Sequence, residues 1–179
     1  MAKIYHRTAG NKLTPAEYEA SNSHVDINGN VLDVPTGAFD SCAEAHLNAN
    51  QAIPNTTKTL CNIDVKDIDT LNEFNTATHR FTAAAAGTYL IIAQVVWYDE
   101  SVLYSSYTFV YINGLGGTYL AVSGEYNASA CKYAIIAHLA ELAQNDYVEV
   151  YAYQSSGASR NITGNNGRFH TYLSVKRVK

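Results

Sequence analysis

Six histidines are the side chains of this 179-residue sequence best suited to metal binding or proton transfer near neutral pH. They are His6, His24, His46, His79, His138 and His170. No two of them have the HxH or HxxxH spacing that would bring two imidazoles to one metal ion. We favour the interpretation that these histidines are hydrogen-bonded at an interface. The alternative is a ring of symmetry-related histidines on an oligomer axis.

Four carboxylates crowd the stretch from residue 64 to residue 73 and offer oxygen ligands suited to calcium. They are Asp64, Asp67, Asp69 and Glu73. Their spacing does not match an EF-hand loop, and such side chains stabilise turns equally well. The sequence therefore predicts a protein without metal or cofactor, with loop-bound calcium as the alternative.

The sequence contains none of the common catalytic motifs. No G-x-S-x-G, P-loop or H-E-x-x-H pattern occurs, and the GLGG run at 114–117 lacks the lysine and helix that phosphate binding requires. No spacing indicates a carboxylate pair for glycoside cleavage. Cys42, Cys61 and Cys131 form no CxxC, and their odd number leaves at least one thiol free. We predict that the protein is not an enzyme.

Composition excludes several classes of partner. Charged residues make up 16% of the chain and its net charge is -4, so there is no basic footprint for nucleic acid. No stretch approaches the roughly 20 apolar residues of a membrane helix. The N-terminal segment also lacks the apolar region of a secretion signal. We therefore expect assembly in a cytoplasm, with a secreted chain recloned without its signal as the alternative.

The stretch from Asn72 to Trp97 organises the rest of the chain. Its second half, Thr88 to Trp97, is almost uncharged and rich in β-branched and aromatic residues, which predicts a strand buried on at least one face. Gly87 suits a tight connection after the alanines at 83–86. A helix through those alanines would have to cross Gly87 and enter a β-branched run, so we reject it.

Short strands separated by turn signals continue from Phe39 to the last residues, and no convincing amphipathic helix interrupts them. This spacing predicts an all-β sandwich of two antiparallel sheets. Long loops are expected at 98–106, 115–127 and 155–167. The predicted strands are 43–47, 57–63, 79–82, 88–97, 107–112, 132–139, 147–154 and 168–178.

The strand at 147–154 alternates between two kinds of side chain. Its valines share one face, whereas Tyr147, Tyr151 and Tyr153 share the other face with Glu149. If the valine face lies in the core, the tyrosines point outward. Because Tyr combines apolar area with a hydroxyl, such a stripe is either covered by a loop or buried against a partner. Both interpretations stay open, and the three tyrosines are our candidate partner surface.

Residues 1–38 are predicted to form an N-terminal attachment arm, separate from a domain at 39–179. A Thr-Pro-Ala-Glu capping box at 14–17 predicts a short helix over 14–23, and Asn28-Gly29 predicts a hairpin within 25–34. These pieces have too few large apolar residues to bury themselves, so we expect a partner to complete their core. The candidate contact residues are Leu13, Pro15, Tyr18, Val25 and Ile27.

The central stretch and two later segments resemble a known family. The pattern N-x-F, then R-F-T-A, then G-x-Y is similar to the signature of the C1q/tumour-necrosis-factor-like family, and the segments YING at 111–114 and LAELAQNDYVEV at 139–150 agree in order. Asn145 replaces the family's usual glycine and tolerates the same left-handed backbone. The alanines before Gly87 replace a proline that the family usually has. The signature residues are Asn72, Phe74, Arg80, Phe81, Thr82, Gly87 and Tyr89.

The resemblance implies a C1q/TNF-like jelly roll over about 39–178 that assembles as a homotrimer. It places three strand regions at the subunit interface, and each carries bulky residues at both parities. These regions are 79–81, 133–139 and 169–175. It places the tyrosine-bearing strand in the outer sheet, away from the trimer axis. Some family members hold calcium through loop carboxylates. The implied interface residues are His79, Phe81, Tyr133, Ile135, Ile136, His138, Phe169, His170 and Tyr172.

Two functions agree with these observations. The first is a trimeric virion protein, a phage head or tail fibre or capsid decoration protein, because residues 13–22 resemble N-terminal segments of phage tail and fibre proteins. The arm would then bind a capsid or tail protein, and the jelly roll would face a host surface glycan or protein. The second is a secreted or cell-surface module that binds a ligand or carbohydrate. An unpaired cysteine and the lack of a collagen-like stalk count against the second.

Overall fold

The computed structural model describes residues 24–25, 31–32, 41–97, 105–125, 132–164 and 170–179. The chain separates into two units, Met1–Ala38 and Phe39–Lys179. In the first unit, β1 (His24–Val25) pairs antiparallel with β2 (Val31–Leu32). The register joins Val25 to Val31, one position away from the pairing that a two-residue Asn28-Gly29 turn would give. The described residues do not include that turn or the predicted helix at 14–23. They also do not include Leu13, Pro15, Tyr18 and Ile27.

The described residues of the second unit form strands joined by turns and connecting segments, and none of these residues is helical. The described part of the chain contains no helix that is long and apolar enough to span a membrane. The strands are β3 (Cys42–His46), β4 (Gln51–Ile53), β5 (Thr59–Leu60), β6 (Val65–Asp69), β7 (Phe74–Asn75), β8 (Arg80–Thr82), β9 (Gly87–Trp97), β10 (Ser106–Ile112), β11 (Thr118–Glu125), β12 (Lys132–Leu142), β13 (Tyr147–Gln154), β14 (Arg160–Ile162) and β15 (Tyr172–Arg177).

These strands form two antiparallel sheets. The six-stranded sheet has the order β11-β10-β13-β8-β7, with β5 also on β13. The seven-stranded sheet has the order β4-β14-β9-β15-β3-β6, with β12 also on β9. The predicted all-β sandwich of two antiparallel sheets is therefore confirmed.

The core lies between the sheets and follows from strict alternation. In β9, every second residue from Tyr89 to Trp97 is buried, while Leu90 and Ile92 on the other face are half-buried. In β13, Val148 and Val150 point into the same core. Because side chains alternate between the faces of a strand, each sheet covers the core with one face and keeps the other for solvent or a partner.

The connection into β9 is tight, as the sequence predicted. Residues 83–86 are not helical, and the Tyr89 hydroxyl donates a hydrogen bond to the Ala85 carbonyl at 2.7 Å. A Cβ on Gly87 would lie 2.3 Å from the Lys179 carbonyl oxygen, so only glycine fits here without movement. The turn before β13 also matches, since Asn145 has a φ of 72°, in the left-handed region.

Two predicted loops are wrong because each contains a strand, and one predicted strand is shorter than expected. The expected loop at 115–127 contains β11, which follows a turn at Asn113 and Gly114 with φ values of 62° and 78°. The expected loop at 155–167 contains β14, and the expected strand at 57–63 shortens to β5. β5 and β14 are held by pairing with strands far along the chain, which local composition does not show, whereas β11 pairs with the preceding β10.

Candidate assembly and binding surfaces

The outer face of the seven-stranded sheet exposes large apolar side chains along β12. Tyr133, Ile135 and Leu139 are 49%, 47% and 58% exposed. They alternate with Ala134 and Ile136, which are buried in the protomer. On the adjoining β9, Leu90 and Ile92 extend the apolar face, with Leu139 paired to Leu90. We call these five outward side chains, Tyr133, Ile135, Leu139, Leu90 and Ile92, the apolar sheet face.

β12 is also an edge strand. Over the residues that the structure describes, it pairs with β9 and with no second strand. A long edge with exposed apolar side chains invites pairing or packing with another chain, and proteins usually protect such edges. The apolar sheet face is therefore suited to burial against a protein partner.

The predicted interface residues divide between the two sheets. Ile135 and Tyr172 belong to the seven-stranded sheet, where each pairs with Gln94 of β9. Tyr133 and His138 are exposed on β12 of the same sheet. Phe169 lies outside the described residues.

The assignment of Phe81 and Ile136 to the interface requires correction, whereas that of His79 stays a prediction. β8 pairs with β13 in the six-stranded sheet, so Phe81 belongs to the core, and the His79 Nδ1 atom hydrogen-bonds the Ile63 carbonyl at 2.9 Å. Ile136 also points into the core. The local pattern of residues 79–82 does not reveal which sheet they join, because their partner is some seventy residues away in β13. Leu139, the last residue of the predicted interface strand at 133–139, shares the parity of Ile135 and lies on the same face of β12.

A histidine pair lies near the far side of the same sheet face. The His46 Nδ1 atom is 2.7 Å from the Asp67 carboxylate, and the His46 and His170 ring centroids are 5.1 Å apart. The His170 ring lies edge-on to Tyr172, with its Nδ1 atom buried and lacking a hydrogen-bond partner in the described part of the chain. The sequence could not reveal this cluster, because its members come from separate strands and one connecting segment.

The six-stranded sheet carries a continuous layer of aromatic rings on its outer face. The pairing of β10 with β13 sets Tyr107 beside Tyr153 and Phe109 beside Tyr151, and β11 adds Tyr119 beside Tyr111. Neighbouring ring centroids are 5.5–6.3 Å apart. We call this the aromatic face, and its residues are Tyr107, Phe109, Tyr111, Tyr119, Tyr151 and Tyr153.

The rings of the aromatic face differ in their exposure to solvent. Tyr111 and Tyr151 are 6% and 9% exposed, whereas Tyr119 is 47% exposed. The outward orientation of Tyr151 and Tyr153 follows from the burial of the β13 valines in the core. Their role as a partner surface stays a prediction. Period-two spacing of aromatics at 107, 109 and 111 was the signal in the sequence that could have extended this surface to β10.

Charged groups are placed among these rings. The Lys58 Nζ atom lies 4.3 Å from the Phe109 ring centroid and donates a hydrogen bond to the Tyr111 hydroxyl at 2.7 Å. The Tyr151 hydroxyl donates to Glu149 Oε2 at 2.9 Å. Burial, together with this neighbouring carboxylate, raises the pKa of Tyr151, so that hydroxyl stays protonated.

Tyr147, the third member of the predicted stripe, lies apart from these rings. Its ring is covered by the Arg80 guanidinium, whose Cζ atom is 4.3 Å from the ring centroid. Arg80 therefore covers one face of the Tyr147 ring, and that face is not open to a partner.

The candidate calcium ligands have separate structural roles. Asp69 accepts hydrogen bonds from the backbone N–H groups of Glu73 and Phe74, and the buried Glu73 carboxylate accepts from the Ser41 hydroxyl at 2.6 Å. No cluster of three metal-ligating side chains occurs within the described ranges. The absence of a cofactor stays a prediction. Burial raises the pKa of the free Cys61 thiol, which makes it a poor nucleophile.

Comparisons with known proteins identify the fold. The domain is similar to the Eiger TNF of S. frugiperda, with a TM-score of 0.57 and 12% identity over 78% of this chain and 92% of that one. It is similar to the globular domain of zebrafish complement 1qA, with a TM-score of 0.54 and 11% identity over 78% of this chain and 98% of that one. The protomer has the TNF/C1q jelly-roll fold.

Murine APRIL shares this jelly roll, with a TM-score of 0.58 and 15% identity over 77% of this chain and 98% of that one. No protein-family model matches the sequence, and no curated protein matches it either. The structural likeness supports the predicted C1q/TNF-like resemblance at the level of fold. In the jelly roll, β9 and β12 carry the apolar sheet face, whereas β10, β11 and β13 carry the aromatic face.

Proposed function

We propose that the protein is a non-enzymatic module that assembles as a homotrimer and displays its six-stranded sheet outward. The observation that carries this proposal is the apolar sheet face, where the edge strand β12 leaves Tyr133, Ile135 and Leu139 about half exposed. Burying such side chains contributes roughly 25 cal/mol per Å² of apolar area. The TNF/C1q jelly roll supports a trimer as the form of assembly, since this is what the sequence resemblance implies.

The proposal leaves no role for catalysis. The sequence carries no nucleophile or metal motif, and the aromatic face presents rings and one ammonium group rather than an acid and base pair. Such a surface is suited to binding a ligand.

The finer proposal is that the trimer is displayed on a virion through an attachment arm at residues 1–38. Two observations support it: the arm is a separate unit from the jelly roll, and its strands β1 and β2 have two residues each, which is marginal for an isolated hairpin. Such a segment is stabilised when a neighbouring protein completes its core.

Truncation before Phe39 tests the arm. The shortened chain should stay folded and trimeric but should be absent from purified virus particles, whereas the full chain should be present in them. Unfolding of the shortened chain would place the arm within the jelly-roll domain. Incorporation of the shortened chain into particles would place the attachment site on the jelly roll.

An extracellular ligand-binding module is the second candidate, favoured by the structural likeness to the complement 1qA domain. Both candidates predict the same trimer but different locations. Antibody detection of the protein in purified particles, compared with culture medium free of particles, separates them. Recovery only from the medium would overturn the virion proposal.

A further inference from the structure

The aromatic face differs in chemistry from the apolar sheet face. Exposed aliphatic side chains such as Ile135 and Leu139 suit burial against another protein. The aromatic face instead presents ring surfaces and phenol hydroxyls. In the described part of the chain, the hydroxyls of Tyr107, Tyr119 and Tyr153 make no hydrogen bond. Flat rings bordered by free hydroxyls match a pyranose sugar, which has an apolar C–H face and an equatorial rim of hydroxyl groups.

A cation without a carboxylate partner among the described residues lies over two of these rings. The Lys58 side chain is exposed, and its Nζ atom is 4.3 Å from the Phe109 ring centroid and 5.3 Å from that of Tyr111. No described carboxylate lies within ion-pair distance of it. One of its three donors is used by the Tyr111 hydroxyl, which leaves two directed elsewhere.

Glu149, a carboxylate on this face, forms no ion pair with Lys58. Glu149 is largely buried and accepts a hydrogen bond from the Tyr151 hydroxyl. The face therefore combines a single accessible positive charge with aromatic surface, in a protein whose net charge is -4. One cation is too few for nucleic acid, which requires several phosphate contacts.

We propose that the aromatic face binds a saccharide that carries a carboxylate, with the sugar ring stacked on the exposed ring of Tyr119 and its carboxylate bound by Lys58. The bound sugar would be a sialic or uronic acid residue, because these place a carboxylate directly on a pyranose ring. This inference names the ligand of the displayed sheet. It does not depend on the trimer, because Tyr119 and Lys58 belong to one chain.

Calorimetric titration of the full chain tests this proposal. The probes are sialyllactose, a glucuronic-acid-terminated disaccharide, and lactose as the neutral counterpart. We expect at least one acidic sugar to bind about tenfold more tightly than lactose, because a hydrogen bond to a charged group contributes about 1.5–3 kcal/mol. Since these sugars are monovalent, their Kd does not depend on oligomeric state. A monomeric chain that binds them would contradict the proposed trimer and support this site.

Two variants separate the contributions of charge and stacking. Lys58→Gln should abolish the preference for acidic sugars, and Tyr119→Ala should weaken both acidic and neutral sugars, with melting temperatures unchanged. Lys66→Gln, on an exposed lysine of the other sheet, is the control and should leave binding unchanged.

Four outcomes would overturn the proposal. The first two are that neither acidic sugar binds saturably, and that lactose binds as tightly as the acidic sugars. The third is that neither variant changes the binding of the acidic sugars. The fourth is that polyglutamate or oligothymidylate, titrated in the same way, binds as tightly as the acidic sugars. The last would show recognition of a different class of macromolecule.

Discussion

The ring of Phe81 packs edge-on against the ring of Tyr89, with centroids 5.7 Å apart and ring planes inclined by 62°. Phe81 comes from β8 of the six-stranded sheet and Tyr89 from β9 of the seven-stranded sheet, and both are fully buried. The pair therefore joins the two layers of the jelly roll. The R-F-T-A and G-x-Y signature in the sequence is thus a core contact rather than part of a binding site.

Phe81→Ala should destabilise the protein by about 3–5 kcal/mol, because it removes a buried aromatic ring and leaves a cavity between the sheets. Phe81→Leu fills more of that space and should cost less. Urea unfolding followed by fluorescence measures both. Equal, small losses for the two variants would contradict the role of this ring in joining the sheets.

Gly87→Ala should destabilise the protein by about 1–3 kcal/mol, because the new Cβ would lie 2.3 Å from the Lys179 carbonyl oxygen and 2.5 Å from the Arg177 Nε atom. Gly116→Ala is the matched control, since a Cβ there meets no atom within 4 Å. Thermal unfolding of the two variants should separate them clearly. A similar melting temperature for both would show that the entry to β9 can relax.

Asp146 should contribute stability that depends on pH. Its Oδ1 atom accepts a hydrogen bond from Asn113 Nδ2 at 2.8 Å and its Oδ2 atom accepts one from the Ala143 N–H, and these bonds lower the pKa of the carboxyl. A carboxyl with a lowered pKa in the folded state stabilises the protein above its unfolded pKa of about 3.9, and this contribution is lost as the pH falls through the folded pKa. Asp146→Asn should remove that acid-dependent part.

Urea unfolding between neutral and acidic pH measures this contribution. The stability difference between the wild-type protein and Asp146→Asn should shrink as the pH falls. Asn113→Gly, which keeps the left-handed backbone accessible, should reproduce the loss. A difference that stays constant with pH would contradict the link to the Asp146 carboxylate.

Ile135 and Ile136 are neighbours on opposite faces of β12, so the same substitution should have different effects. Ile136→Asp should unfold the protomer, because a buried unpaired carboxylate costs several kcal/mol and Ile136 is only 4% exposed. Ile135→Asp should leave the protomer folded and prevent assembly. Circular dichroism with thermal melting tests the first effect. A folded Ile136→Asp protein with unchanged melting would show the assignment of faces in β12 to be wrong.

Long strands with clear alternation could be predicted from the sequence, because their faces are set locally. β9, β12 and β13 lie where the pattern placed them, and Asn145 takes the left-handed backbone that its turn requires. Sheet membership could not be predicted in the same way. Phe81 was assigned to the wrong sheet, because its strand is placed by pairing with Val148, which lies far along the chain.

The candidate surfaces were predictable only in part, for the same reason. The tyrosines of β13 were visible as a period-two stripe, but the aromatic face also needs Phe109 and Tyr119 from two other strands and Lys58 from a connecting segment. Side chains that meet only through sheet pairing leave no common local pattern. The apolar sheet face was easier to predict, since β12 alone carries three of its residues.

Sedimentation equilibrium of the full chain at micromolar concentration tests the central claim most directly, with Ile135→Asp as the matched variant. The wild-type protein should have three times the mass of one chain, and Ile135→Asp should have the mass of a single folded chain. A wild-type mass equal to one chain would contradict assembly through the apolar sheet face. So would an Ile135→Asp protein that remains a trimer.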